Sequence, residues 1–474
     1  MSRTLLPLIC CLTGVVVAHL AQSWIFGNTP TVAPSVNPSA PNVLLITMDT
    51  VRARNLSLYG YARQTTPWLE TYAHSSVVFQ RAFATISWTL PSHASLFTGR
   101  LPHQVLHALR LQKGVPTLAE RLNAEGYRTG GFVANVSPLN HHTGVQRGFA
   151  HYEEGIVSAP ETLMSSTLAE AAMLGMTALL GTAADLSANS DGLASQAERT
   201  AWEFHNRRKS AADINRAFLA WQDKAPGRPF FAFLNYLDAH QPYLLPRGVE
   251  RGFLSPDVPW QSLVEPDQEA LLPSALSASQ RNTITDAYDS CISYEDEQMA
   301  QLFHELDQRR VLQHSLVIIT ADHGEYLGEH KRLGHGRTLY LQVLQVPLLI
   351  SWPGHLPAGT TVQEPVSLLD VSATVLDLLN LHPALPGRSL ARCWTPGNQS
   401  AEDAVYSALK RDGRPEFWES LLSGTLHYIR VNFGKKEELY DVSADWSEEH
   451  DLSKNESFKT ALDSLRKKMA AQTQ

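Results

Sequence analysis

The chain has 474 residues, of which 43% are hydrophobic and 18% charged, a balance that suits a packed core and excludes a disordered tail protein or a multi-span membrane protein. A formal net charge of -8 argues against a broad nucleic-acid surface, because phosphate backbones reward a surplus of Lys and Arg. No nucleic-acid partner is expected, and the length allows one large domain with an appended subdomain or two to three smaller ones.

Between Arg3 and Asp49 there is no charged side chain, and Thr4 to Phe26 is mainly apolar. That length reaches the roughly 20 residues of a spanning helix. A charged start, an apolar centre and small residues near Ala18 and Ala21 also suit a cleaved signal peptide. Residues 1–27 are therefore read as a signal anchor or signal peptide, with the uncleaved anchor preferred. Residues 28–40 are a Pro/Ser/Thr linker with nothing to pack against. The expected body is membrane-anchored outside the cytoplasm, or secreted if the segment is cleaved.

From Pro41 the pattern becomes that of strands covered on both faces, starting with the continuous apolar run Asn42 to Met48. Similar runs follow at Thr129 to Ala134, Pro229 to Leu234, Ser315 to Thr320 and Val346 to Ile350. Helical patterns lie between them, at Val115 to Glu125, Ala211 to Trp221 and Thr283 to Leu306. The alternation predicts an α/β fold, a mainly parallel sheet with helices on both faces. Ligands of such sheets bind beyond the carboxyl ends of strands. Asp49 follows the first run, Asp238 to His240 the third, and Asp322-His323 the fourth, so these polar groups are expected on one rim.

Three other features are read more plainly. The uncharged stretch Ala171 to Ala184 is too short to span a bilayer and is read as a buried helix, with a lid or lipid-facing surface as the alternative. Arg207-Arg208-Lys209 is read as a solvated helix start. Cys291 and Cys393 have no CxxC spacing, which leaves one disulfide or two buried thiols open and makes no zinc site. Residues 41–400 form the expected main body. Residues 401–474, with shorter alternating segments at Ala404 to Leu409, Trp418 to Val431 and Glu437 to Val442 and a polar helix near Lys454 to Ala470, are expected to form a small antiparallel sheet plus helix.

Several ordered fragments carry a family resemblance: NVLLITMDTVRA with SLYGY and TTPWLETYA, ISWTLPSHASLFTGRLP, FFAFLNYLDAHQPY, IITADHGEYLGEHKRLGHG, then VPLLI, PGRSL and EELYDV. Over nearly the whole body the chain resembles the sulfatase family of the alkaline-phosphatase-like superfamily. The segment Thr89-Leu90-Pro91-Ser92-His93 stands where a typical sulfatase has C/S-x-P-S-R, with the Cys or Ser oxidised to formylglycine. The hydroxyl-bearing carbon of threonine already carries a methyl group, so its oxidation would give a ketone. At Thr89 the chain is instead similar to the superfamily's phosphoethanolamine and phosphoglycerol transferases, which are commonly membrane-anchored.

The resemblance implies a metal set of Asp49, Thr89, Asp322 and His323 for one divalent ion, whether zinc, manganese or calcium. Thr50 stands where relatives often have a second Asp, which makes the site less anionic. His240 and His335 match positions where relatives place His or Lys around the transferred group, implying hydrogen bonds to non-bridging oxygens and protonation of the leaving alcohol. His93 replaces an Arg beside the nucleophile, with loss of a permanent charge. Asn135 and Asp238 are further candidates, for substrate contact or turn structure. The expected activity is metal-dependent hydrolysis or transfer of phosphate mono- or diesters through Thr89, on a lipid or glycan ester. The alternatives are sulfuric ester hydrolysis without formylglycine and an inactive exported binding protein.

Overall fold

The computed structural model describes residues 37–154, 209–246, 248–250, 252–255, 257–258, 270–271, 275–395, 404–410 and 416–472. The expected N-terminal anchor at 1–27, residues 28–36 of the linker, and Ala171 to Ala184 lie outside the described residues, as do Arg207 and Arg208. Lys209 is described, and it is buried rather than solvated. Its ammonium lies 3.0 Å from Glu153 Oε1, next to Ser210, the N-cap of the helix that follows.

Eight strands form the main sheet: β1 (Asn42–Met48), β2 (Val77–Phe79), β3 (Arg128–Val133), β4 (His151–Glu154), β5 (Phe230–Tyr236), β6 (Ser315–Thr320), β7 (Leu348–Ser351) and β8 (Thr360–Val362). Their order across the sheet is β8-β2-β7-β6-β1-β5-β3-β4. The contiguous half from β6 to β4 is parallel throughout. β1 is central, with Val43 opposite both Phe231 and Leu316, and every residue of β5 and β6 is buried. This is the continuous apolar reading of strands enclosed on both faces.

The run Val346 to Ile350 departs from expectation in two ways. It breaks at Pro347, which has no N–H for a ladder, leaving Gln345–Val346 in a separate small sheet while Leu348–Ser351 joins the main one. There β7 runs antiparallel to β6.

Helices flank the sheet, among them α1 (Pro67–Ala73), α2 (Thr89–Thr98), α3 (Ala211–Gln222) and α4 (Ala278–Gln308). Both α3 and α4 begin with capping boxes, Ser210 with Asp213 and Ser277 with Gln280, which satisfy N–H groups that have no partner inside the helix. Every residue of α2 is buried. It stops at Gly99, whose φ of 66° is the left-handed conformation common after helix ends. A Cβ at Gly99 would lie 1.8 Å from the Pro386 carbonyl oxygen. Cys291 and Cys393 are both buried and unbridged.

The C-terminal part is a four-stranded antiparallel sheet, β9 (Ala404–Lys410), β10 (Phe417–Ser423), β11 (Leu426–Val431) and β12 (Lys436–Asp441). Helix α5 (Lys459–Gln472) covers it through Leu462, Leu465 and Met469, packed with Tyr406, Leu421, Tyr428 and Leu439.

The start of α1 depends on a buried acid. Asp296, on α4, accepts hydrogen bonds from the Trp68 and Leu69 N–H groups at 2.8 and 3.0 Å. Burial nevertheless pushes its carboxyl up to about 7, against the pull of those two bonds. A carboxyl with a folded value above its unfolded one adds stability that is complete below about pH 4 and is lost as pH rises through 7. Unfolding free energy is therefore expected to fall across pH 4 to 7 by on the order of 2 kcal/mol more in the parent than in Asp296→Asn. Urea titrations at several pH values would measure this, and parallel profiles would contradict it.

Candidate active site

β1 ends at Met48, and Asp49 follows, its N–H donating to the Tyr236 carbonyl at 3.0 Å. Asn135, just past β3, donates from Nδ2 to Asp49 Oδ2 at 2.7 Å. Asn235, the one amide side chain in β5, reaches the same oxygen at 3.4 Å. β6 ends at Thr320, and Asp322-His323 follow. Asp322 Oδ1 accepts from the N–H groups of Thr50 (3.2 Å) and His323 (2.9 Å), and Ser92 of α2 donates to the Asp322 carbonyl at 2.6 Å. Gly324 is required by close approach, because a Cβ there would stand 2.2 Å from the Gln342 carbonyl oxygen.

Thr89 opens α2, directly after Trp88 as N-cap. Its hydroxyl lies 3.2 Å from His323 Nε2. His323 Nδ1 donates to the Gly324 carbonyl at 2.9 Å, so Nε2 is the acceptor that faces Thr89. His93, one helical turn beyond Thr89, is fully buried. Its Nδ1 donates to the Thr89 carbonyl at 2.9 Å, and its Nε2 accepts from Thr47 at 3.3 Å. Burial holds His93 below the ordinary imidazole range.

The remaining histidines extend outward from Thr89. The His335 ring lies 4.4 Å from that of His323, and the His240 ring 5.1 Å from that of His335. His335 Nδ1 donates to Glu325 Oε1 at 2.9 Å, and His240 Nδ1 donates to the Gln241 carbonyl at 2.7 Å. The structure thus brings Asp49, Thr89, His93, Asn135, His240, Asp322, His323 and His335 to one end of the parallel strands. Asp238 is on the same rim, but its Oδ2 accepts from the Ala211 N–H at the start of α3.

Whether the residues suit a cation can be judged from their unmet acceptors. Asp49 Oδ1 and Asp322 Oδ2 are buried with no hydrogen-bond donor. One ligand atom each from Asp49, Asp322 and His323 lie within 4.8 Å of one another. Burial, and then the charge of Asp49, pushes the Asp322 carboxyl well above the carboxylate range. Burial, followed by His335, pushes His323 well below the imidazole range. Two buried carboxylates facing each other beside a neutral imidazole lone pair form a set that one divalent ion would satisfy.

Residues 41–381 match the sulfatase family. The chain belongs to the sulfatase family. Residues 328–474 also match the C-terminal region of N-sulphoglucosamine sulphohydrolase. Choline-sulfatase of Rhizobium meliloti is 25% identical over 394 residues, which cover 75% of this chain and 70% of that protein. Arylsulfatase of Clostridium perfringens is 22% identical over 462 residues, covering 90% and 93%. Among solved structures, phosphonate monoester hydrolase of Agrobacterium radiobacter superposes with a TM-score of 0.67 at 20% identity, covering 91% of this chain and 95% of that one. A 2-O GAG sulfatase gives 0.66 at 17% identity, covering 91% of each. These superpositions show a shared fold.

Sulfatase-family hydrolases use a divalent metal, which agrees with the unmet acceptors of Asp49 and Asp322. Sequence reasoning missed Asn235, Ser92 and Glu325. Asn235 had a signal, since a lone amide inside an apolar strand needs a buried partner. Glu325 follows the Asp-His-Gly triplet directly, but only the fold shows it meeting His335.

Proposed function

We propose that this sulfatase-family hydrolase cleaves or transfers phosphate esters through Thr89. One observation carries the reading: the side chain at the start of α2, 3.2 Å from His323 beside the carboxylate pair, is a threonine, which cannot become formylglycine. A divalent ion held by Asp49, Asp322, His323 and Thr89 would supply Lewis-acid polarisation of the ester and stabilise the deprotonated hydroxyl.

The chain's own residues account for the rest. Thr89 Oγ, its proton released to solvent, attacks phosphorus in line as the P–O bond to the alcohol breaks, forming a phosphothreonine ester. The N-terminal turn of α2 presents the positive end of its dipole to the anionic ester. His335, with Nδ1 committed to Glu325, and His240, with Nδ1 committed to Gln241, present their Nε2 edges to the substrate. There they hydrogen-bond non-bridging oxygens and give a proton to the departing alkoxide. Water or an acceptor alcohol then attacks phosphorus, passing its proton to the histidine that protonated the first leaving alcohol, and Thr89 departs as the ester bond to it breaks and takes back a proton from solvent. Asn135 and Asn235 orient Asp49, and His93 fixes the Thr89 carbonyl beneath the site.

The proposed substrate is a phosphate ester of a lipid or glycan. The body is proposed to act outside the cytoplasm, tethered by residues 1–27. A second reading, sulfuric ester hydrolysis without formylglycine, draws on the names of the relatives. A purified ectodomain offered matched 4-nitrophenyl phosphate, bis(4-nitrophenyl) phosphate and 4-nitrophenyl sulfate should turn over a phosphate ester faster than the sulfate. Faster release from the sulfate would sink the proposal and favour the second reading.

A further inference from the structure

Thr50 sits immediately after Asp49, fully buried, with φ at 63°. That region is a genuine outlier for a β-branched residue and costs on the order of 1–3 kcal/mol unless surrounding contacts hold it. Three contacts do. Its N–H donates to Asp322 Oδ1 at 3.2 Å, its carbonyl accepts from the Tyr288 hydroxyl at 2.7 Å, and its own hydroxyl donates to the Ala239 carbonyl at 3.0 Å. The peptide unit on the other side of Ala239 is held as well, its N–H donating to Glu295 Oε1 at 3.1 Å. Ala239 precedes His240, and both ends of that residue are gripped by buried side chains from separate elements.

We propose that Thr50 is a positioning residue for His240: its hydroxyl fixes the Ala239 carbonyl and thereby the direction in which the His240 ring faces the ester. The inference rests on the role given above to His240. A carboxylate in place of this hydroxyl would offer only acceptors to a carbonyl oxygen 3.0 Å away; the position calls for a donor. The Thr50 N–H that supports Asp322 belongs to the backbone, so it survives a side-chain change. Loss of the hydroxyl should therefore act on His240 and spare the carboxylate cluster.

The test compares Thr50→Val, which keeps the shape and removes the donor, with Thr50→Ser and Thr50→Asn, which keep one. Thr50→Ala replaces the valine variant if that one does not fold. Removing the donor should lower kcat by about 10- to 100-fold, as outer-shell changes do, with KM and Mn²⁺ affinity by calorimetry changed by less than about threefold. Thr50→Ser should restore most of kcat. In a His240→Ala background the Thr50 change should cost less than about twofold, since coupled residues do not add. Equal cost in both backgrounds overturns the proposal. A second arm needs no turnover: in ¹⁵N-histidine-labelled, metal-free protein, the His240 ring signals should move in Thr50→Val and return in Thr50→Ser. If the parent cleaves neither ester, the phosphoryl reading fails while this arm still decides the positioning role. Unmoved His240 signals would reject it.

Discussion

Thr89→Ala is expected to remove ester turnover by on the order of 10⁴-fold or more, the scale on which deleting an attacking group acts, equivalent to about 5 kcal/mol of barrier. The loss should be in kcat, because the hydroxyl 3.2 Å from His323 Nε2 contributes a bond that forms only during reaction. Thr89→Ser should keep a substantial part of the activity, as it preserves the oxygen and discards a methyl group. Intact mass of the parent should show no oxidative change at position 89. A sulfated formylglycine hydrate expels sulfate by collapsing to the aldehyde, whereas a sulfated threonine has no such exit. A phosphorylated threonine can be cleared by a second in-line attack. Full activity in the alanine variant, or an oxidised residue 89, would end this account.

The second large effect concerns the carboxylate pair. In the metal-free parent, Asp49 Oδ1 and Asp322 Oδ2 lack donors inside a buried site, and a bound ion should raise stability by about 4 kcal/mol at a thousandfold excess over its Kd. Asp322→Asn keeps an oxygen for the Thr50 and His323 N–H groups while removing a charge that faces Asp49. The metal-free variant should melt at least as high as the metal-free parent. It should gain little on adding Zn²⁺ or Mn²⁺, and its activity should be gone. Thermal melts with and without metal, paired with rates after chelation, provide the check. An equal metal-induced rise in parent and variant would exclude Asp322 as a ligand, and so would full activity of the chelated parent.

Much of this arrangement could be read in the sequence, for identifiable reasons. Asn42–Met48 and Ser315–Thr320 form strands at their expected bounds because an uninterrupted apolar run has one way to be enclosed at the centre of an α/β sheet. The direction of Leu348–Ser351 was not legible. A fully buried strand looks the same whether it runs parallel or antiparallel, and only the topology around Pro347 settles it. The three- and four-residue strands at Val77–Phe79, Thr360–Val362 and His151–Glu154 are too short to show a period.

At the site, the strand-end rule found Asp49, Asp322 and His323, whose ligand atoms lie within 4.8 Å of one another. Residues that act by holding those groups were harder to see. Ser92 is bonded to a carbonyl 230 positions away and Glu325 to an imidazole across a loop, and neither relation leaves a trace in spacing. Asp238 shows the converse: a carboxylate at a strand end reads as a site residue, yet one of its oxygens caps a helix.

The C-terminal sheet touches the two stretches that frame the site. β9 donates the Ala408 N–H to the Thr85 carbonyl at 3.0 Å and the Ser407 hydroxyl to the Ala84 carbonyl at 2.8 Å, four and five residues before Thr89. Glu448, buried after β12, accepts the Leu341 N–H at 2.6 Å, and Glu438 accepts the Tyr340 hydroxyl at 2.9 Å, just beyond the His335 loop. Compositional change near residue 400 is therefore not expected to mark a seam in cooperativity. Opening the C-terminal sheet would strand buried polar groups just before the Thr89 helix and just beyond the His335 loop, so the two parts are expected to unfold in one transition, with the rim that carries Thr89 and His335 braced from the far end of the chain.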